Sequence, residues 1–247
     1  GGRVVNKALV IAHGVHETGR REILSIDVGE AETEAFWTAF LRGLIKRGLV
    51  GVQLAISDAH AGLKAAIAKV LGCAWQRCTV HFLRDCFGHA RKYQHGLLGA
   101  LIRPIFAADS LAQARDRLSE AVAHLDGRLN KIATMLEDAE TDILAFYAFP
   151  AGHWKKLRST NPLERFNKEI GRRTDVVGIF PNDQALIRLA GMLCIEQNDE
   201  WLVGRGYLSA ESISEVLGLG EQNSQPRQAE KRRNLPQREE VTELQTA

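Results

Sequence analysis

No stretch of this chain holds the run of about 18 apolar residues that a membrane-spanning helix requires, so no such span is expected. Cysteine is scarce. Cys73, Cys78, Cys86 and Cys194 are too few and too clustered for a secreted disulfide scaffold. An excess of one charge is missing as well. With 32 Lys and Arg against 30 Asp and Glu, the net charge of +2 excludes a uniformly basic nucleic-acid coat and confines any polyanion site to a local patch. The opening Gly1-Gly2-Arg3-Val4-Val5 lacks the charged and apolar regions of a secretory leader. These absences point to a cytoplasmic protein with reduced thiols.

What is present is ordinary globular composition, 45% apolar and 25% charged, enough for a sizeable core and against wholesale disorder. At ~150 residues per domain, 247 residues suit one core with an insertion or tail. Two strands are expected first, Ala8 to Val15 and Arg21 to Asp27, turning at His16-Glu17-Thr18-Gly19. Phe36, Trp37, Phe40, Leu41, Leu44 and Ile45 recur at helical spacing, which predicts a helix from Glu32 to Leu49 stopped by Gly51. A strand from Val52 to Ser57, a helix from Leu63 to Leu71 and a strand from Trp75 to His81 follow. Strands and helices in this alternation build an α/β sheet with parallel neighbours.

After His81 the pattern changes. Residues 82–150 carry 8 basic and 9 acidic residues and helical runs such as Leu111 to Leu125 and Leu129 to Phe146, which read as an all-helical insertion. Further helices are expected from Asn161-Pro162 and over Gln184 to Gln197. From Gly218 the chain turns polar and aperiodic, and the tail reads as disordered. At the other end, Gly1-Gly2 is a hairpin-turn signal whose partner strand would precede residue 1, so a fragment is expected.

Several residues are placed for chemistry. Asp58 ends an apolar strand where the chain turns towards a helix, and ligands of open α/β sheets gather at the carboxyl ends of strands. A carboxylate there can hold a metal or simply cap the next helix, while His60 reads as a turn residue. Glu164 lies in Ser159-Thr160-Asn161-Pro162-Leu163-Glu164-Arg165-Phe166-Asn167, a helix start in which Asn161 and Glu164 resemble a capping box. Leu163, Phe166 and Ile170 form an apolar stripe, whereas Asn161, Glu164 and Lys168 share a polar face with Asn167 nearby. Around Glu164, residues 155–173 hold Lys155, Lys156, Arg158, Arg165, Lys168, Arg172 and Arg173 against two Glu, a local charge of +5. Such a setting suits a phosphodiester approaching a metal-binding acid, or is a solvated basic face.

Cys73, Cys78, His81 and Cys86 fall within fourteen residues, so zinc must be weighed. A strand over Trp75 to His81 argues against it, because residues three apart on a strand point to opposite faces and Cys78 and His81 would not converge. His81, at the strand's end, would face the same cleft as Asp58.

Taken in order, Ile56-Ser57-Asp58-Ala59-His60-Ala61-Gly62-Leu63, Trp75-Gln76-Arg77-Cys78-Thr79-Val80-His81-Phe82, the Glu164 segment quoted above and Arg172-Arg173-Thr174-Asp175-Val176-Val177-Gly178-Ile179-Phe180-Pro181-Asn182 resemble the bacterial Mutator-type insertion-sequence transposases. The likeness runs from residue 1 to about residue 215. It implies an RNase-H-like mixed sheet with an Asp-Asp-Glu triad and a helical insertion before the Glu. On this scheme residues 1–81 and 151–217 are two parts of that core, 82–150 the insertion and 218–247 the tail. The second Asp maps onto Asp58 and the Glu onto Glu164, with Cys78, His81 and Asn167 near the active site and the seven basic residues on DNA. The first Asp, and a region recognising terminal inverted repeats, would lie upstream of Gly1.

The resemblance further implies two Mg²⁺ (or Mn²⁺) ions, strand nicking and strand transfer on DNA at terminal inverted repeats and target sites, a homodimer, and a nucleoid-associated location. The alternative is a truncated, inactive remnant that binds DNA or regulates an intact transposase. A zinc-dependent DNA-binding module is the third reading.

Overall fold

The structure, a computed structural model, describes residues 4–29 and 33–218. The Gly1-Gly2 turn, the expected helix start at Glu32 and the polar tail beyond Gly218 lie outside the described residues. The fold is mixed α/β, with two small sheets against many helices.

The first sheet is an antiparallel hairpin, β1 (Ala8–Val15) against β2 (Arg21–Gly29), with its register shifted between Ala12 and His13. Its turn needs Gly19. The residue has φ 78°, and a Cβ there would come within 1.9 Å of the Leu208 carbonyl oxygen. That close approach exists because Gly19 O accepts hydrogen bonds from the amides of Tyr207 (2.7 Å) and Leu208 (3.0 Å), which strap the hairpin to a segment distant in sequence. Helix α1 (Glu34–Lys46) starts on Thr33, whose hydroxyl accepts from Phe36 N, and buries Trp37, Phe40, Leu41 and Leu44. It is shorter than expected, and Gly48, at φ 107°, turns the chain rather than Gly51 alone.

The second sheet is a β-α-β unit. Strand β3 (Leu54–Ser57) runs parallel to β4 (Ala74–Arg77), with α2 (Ala61–Val70) between them. Val10 of β1, the apolar faces of α1 and α2, and partly buried Ala55 and Trp75 make one core. Among the described residues the two strand pairs are not hydrogen-bonded to each other, so they form two sheets.

The expected strand Trp75 to His81 stops at Arg77. Cys78 continues the ladder by one bond, its amide donating to Ser57 O (2.8 Å), and then serves as the first residue before α3 (Thr79–Gly88). Thr79 supplies the reason. Its amide and hydroxyl both donate to Arg158 O at 2.9 Å, which satisfies helix-terminal donors and turns the chain out of the sheet.

Helices α3, α4 (His95–Ile102), α5 (Leu111–Leu125) and α6 (Asn130–Leu144) enclose a second, larger core that includes Phe82, Leu98, Ile105, Leu118, Leu136 and Phe146. Gln76, fully buried in β4, fastens the sheet to it. Its Nε2 donates to Ile143 O (3.0 Å) and Arg77 O (2.7 Å), and its Oε1 accepts from Phe146 N (2.8 Å).

Short α7 (Ala151–Leu157) leads to α8 (Asn161–Val177), and α9 (Asp183–Val203) follows, capped by Asn182 through Ala185 N. The last element is α10 (Ala210–Val216). Phe166 and Ile170 of the expected stripe are buried with Ala190, Leu193 and Cys194 of α9, against Leu9, Ile11, Ile23 and Ile26 of the hairpin. Burying that stripe on the hairpin fixes the rotation of α8, and therefore the direction of its opposite, polar face.

Candidate functional site

The site forms where β3 and β4 end and α3 and α8 begin. Asp58 follows β3 directly, and His60 rather than Asp58 caps α2, its Nδ1 accepting from Leu63 N. The Asp58 carboxylate is thus left free of the capping role. It turns to His81, whose Nδ1 lies 2.5 Å from Asp58 Oδ1 and 3.5 Å from Glu164 Oε1.

Cys78 and His81 stand at i and i+3 across the start of a helix, not on a strand. The expectation that they point apart is therefore corrected, since residues three apart on a helix share a face. Asp58, Cys78 and His81 each offer an atom within 4.8 Å of the others. The other two cysteines of the zinc pattern do not join them. Cys73 packs beside the first core and Cys86 in the helical one, and all four thiols are free. Burial pushes the Cys86 thiol up to about 12.

Glu164 reaches the cluster because the expected capping box does not form. Thr160, not Asn161, precedes the helix, and Pro162 sits in its first turn. Thr160 binds both neighbours. Its amide and hydroxyl lie 3.4 and 3.3 Å from the buried Cys78 Sγ, and the same hydroxyl is 3.4 Å from Glu164 Oε1. No sequence signal marks Thr160 or Thr79 for this role. Thr79 reads as part of a strand and Thr160 as the residue before the expected cap Asn161, until the structure shows which partner each serves.

Burial raises the Asp58 carboxyl above the usual carboxylate range, with His81 opposing and the Glu164 and Asp85 carboxylates adding to the rise. Two acids in one cleft resist joint ionisation unless a cation balances them. His81 Nδ1 is moreover buried and has no aligned hydrogen-bond partner.

Asn167 is exposed, and among the described residues no hydrogen bond ties it to this cluster. The basic residues divide. Arg158 donates to Phe106 O (2.6 Å), and Lys156 donates to Tyr207 O. Arg172 and Arg173 grip Glu169 at 2.7 and 2.9 Å, holding its carboxyl down at about 2. Lys155, Arg165 and Lys168 make no ion pair or side-chain hydrogen bond among the described residues. All three are exposed.

These features define a class: an α/β protein in which two carboxylates, an imidazole and a thiol meet at the carboxyl ends of parallel strands, beside a helix rich in arginine and lysine. The chain belongs to the Mutator family of transposases, whose profile matches residues 1–204. It is 46% identical over 217 residues to the transposase for insertion sequence element IS1081 of Mycobacterium tuberculosis, covering 86% of this chain and 52% of that protein. Against the transposase for element ISRM5 of Rhizobium meliloti it is 39% identical over 216 residues, covering 87% of this chain and 54% of the relative. The transposase for IS256 in transposon Tn4001 of Staphylococcus aureus is 36% identical over 211 residues, with 84% and 54% covered. The chain thus spans about half the length of these curated relatives. Among the described residues no helix is long and apolar enough to cross a membrane.

Proposed function

We propose that this chain carries catalytic machinery of a DNA transposase that nicks DNA at terminal inverted repeats and transfers the freed 3′ end to a target strand. One observation carries the reading. Asp58 and Glu164, distant in sequence, flank the same His81 nitrogen at 2.5 and 3.5 Å. Antiparallel and parallel pairing, the two kinds that an RNase-H-like mixed sheet combines, both occur here, in two separate two-stranded sheets. That the regular elements of residues 82–150 are all helical supports reading them as an insertion before the Glu helix.

The donor set fits divalent cations. Asp58 and Glu164 would hold them, as hard carboxylate oxygens suit Mg²⁺ or Mn²⁺, and the adjoining His81 imidazole favours Mn²⁺. When bound, such ions lower the pKa of a water or hydroxyl nucleophile and stabilise the leaving oxygen of a phosphodiester. The chain's own residues do the rest. Thr79 fixes the end of α7 to the start of α3, and Thr160 holds the first turn of α8 against Cys78, so the carboxylates keep one separation. Lys155, Arg165 and Lys168 hold the phosphate backbone without reading sequence. Two element ends must be held together, and a homodimer would provide this.

The test is Glu164→Gln and Asp58→Asn in a version containing the whole transposase. Strand transfer should fall by at least about 10³-fold while DNA binding stays within about twofold, as expected where only transition-state interactions are lost. Retained transfer by either variant would refute the assignment.

A further inference from the structure

Away from the carboxylates, the first residue of β2 makes an unusual set of contacts. The Arg21 guanidinium carbon lies 4.4 Å from the Trp201 ring centroid and 4.3 Å from that of Tyr207, so one cation contacts two aromatic rings. Lys156 adds a second cation 5.1 Å from the Tyr207 ring. The contacts run cation, ring, cation, ring. Trp201 comes from the last turn of α9 and Tyr207 from the segment strapped to Gly19, so three distant pieces of chain meet here.

Stacking consumes the faces of a guanidinium but not its edge, which carries five N–H donors. Among the described residues no acceptor takes a hydrogen bond from the Arg21 side chain, and no carboxylate pairs with it. Arg21 lines a cleft of about 440 Å³ together with Lys155 and Arg165. The one acid in its wall, Glu169, is already committed to Arg172 and Arg173. The cleft therefore presents unneutralised donors beside half-buried rings.

That combination selects its ligand. Cations alone serve any phosphodiester, but cations with an aromatic ring in the same wall can also stack a base, which an unpaired base can reach and a base inside a duplex cannot. The volume lies within the ~300–1,000 Å³ range of small-ligand clefts, room for a nucleotide and not for a double helix. The position also fits. Asn161 and Pro162, at the start of the helix that carries Glu164, form part of the wall.

We propose that this cleft captures an unpaired nucleotide of the DNA strand next to the reacting phosphate. Its phosphate sits on the N–H donors of Arg21 with Lys155 and Arg165, and its base lies against the Trp201 ring, which carries one cation where Tyr207 carries two. The inference rests on the transposase reading above, and extends it from backbone holding to recognition of single-stranded DNA.

The experiment is fluorescence anisotropy on the purified chain without divalent metal, at about 0.1 M salt to limit long-range steering. A labelled oligothymidylate of about 12 nucleotides is compared with a mixed-sequence duplex, a span sized to single-strand binding sites. Arg21→Gln and Trp201→Ala should each weaken oligothymidylate binding about tenfold or more and change duplex binding less than about twofold, the scale of one lost base stack. In case Trp201→Ala does not fold, Trp201→Phe keeps a ring, and the oligonucleotide should quench indole emission in the wild type but much less in this variant. Equal losses on both DNAs would overturn the single-strand claim and leave a general backbone site. Unchanged binding would overturn the cleft altogether. Wild-type protein that binds neither DNA would overturn the cleft together with the backbone-holding role given to Lys155, Arg165 and Lys168, and leave the test of Asp58 and Glu164 standing by itself.

Discussion

The carbonyl oxygen of Arg158 accepts two hydrogen bonds from Thr79, one from the amide and one from the hydroxyl, both at 2.9 Å. This single acceptor joins the segment that bears Cys78 and His81 to the segment that leads into Glu164.

Thr79→Val keeps the shape and the amide bond but removes the hydroxyl. The loss in stability should be about 0.5–1.5 kcal/mol, the usual net worth of one hydrogen bond. The effect on the carboxylates should be larger in kind, with Mn²⁺ affinity falling severalfold in a calorimetric titration. Unchanged Mn²⁺ affinity would show that Thr79 does not position Glu164.

Gln76 is the buried fastening between β4 and the helical body. Gln76→Leu fills nearly the same volume but leaves Phe146 N and Ile143 O without the partners they have. Two stranded buried groups should cost about 2–5 kcal/mol. Urea denaturation monitored by circular dichroism measures this, and a cost under about 1 kcal/mol would mean that the groups find other partners.

His13 gives a pH dependence with a definite sign. Burial first, and then the nearby Arg21 charge, lower its pKa from 6.5 to about 4. The unfolded chain therefore takes up a proton that the folded chain refuses, and stability present above pH 6.5 drains away as the pH falls towards 4. The loss amounts to at most about 3 kcal/mol. His13→Phe, which keeps a ring beside Trp201, should flatten the melting temperature over that interval. A variant with the wild-type slope would remove His13 as the cause.

Gly19→Ala should be costly. It combines a left-handed φ of 78° with a Cβ 1.9 Å from Leu208 O, so the strap to Tyr207 and Leu208 must open. More than about 2 kcal/mol should be lost, from backbone strain together with two hydrogen bonds. Trp201 emission should shift to the red as Tyr207 moves away, and an unshifted spectrum would mean that the strap survives.

Local signals made much of this legible from sequence. Apolar periodicity placed Leu111–Leu125 correctly to the residue, the Asn161-Pro162 start marked α8, and the strand ending at Ser57 put Asp58 at its carboxyl end. The resemblance found the family. What stayed hidden depends on distant partners. Nothing local ends β4 at Arg77, because the reason is the carbonyl of Arg158. Asn161 and Glu164 spell a capping box, yet Thr160 takes the capping position and Glu164 turns to His81. Arg21, Trp201 and Tyr207 are too far apart in sequence for any spacing rule to join them.

His81 touches acids 23 residues before it and 83 residues after it. Neither separation is bridged by a hairpin or a single helix, so both loops must close before the three side chains share a cleft. Loop-closure entropy makes such contacts late arrivals in folding. A chain whose hairpin has not yet seated α8 holds every one of these residues and none of the geometry. The site thus reports on its own assembly, since it comes into being only when the surrounding architecture is finished.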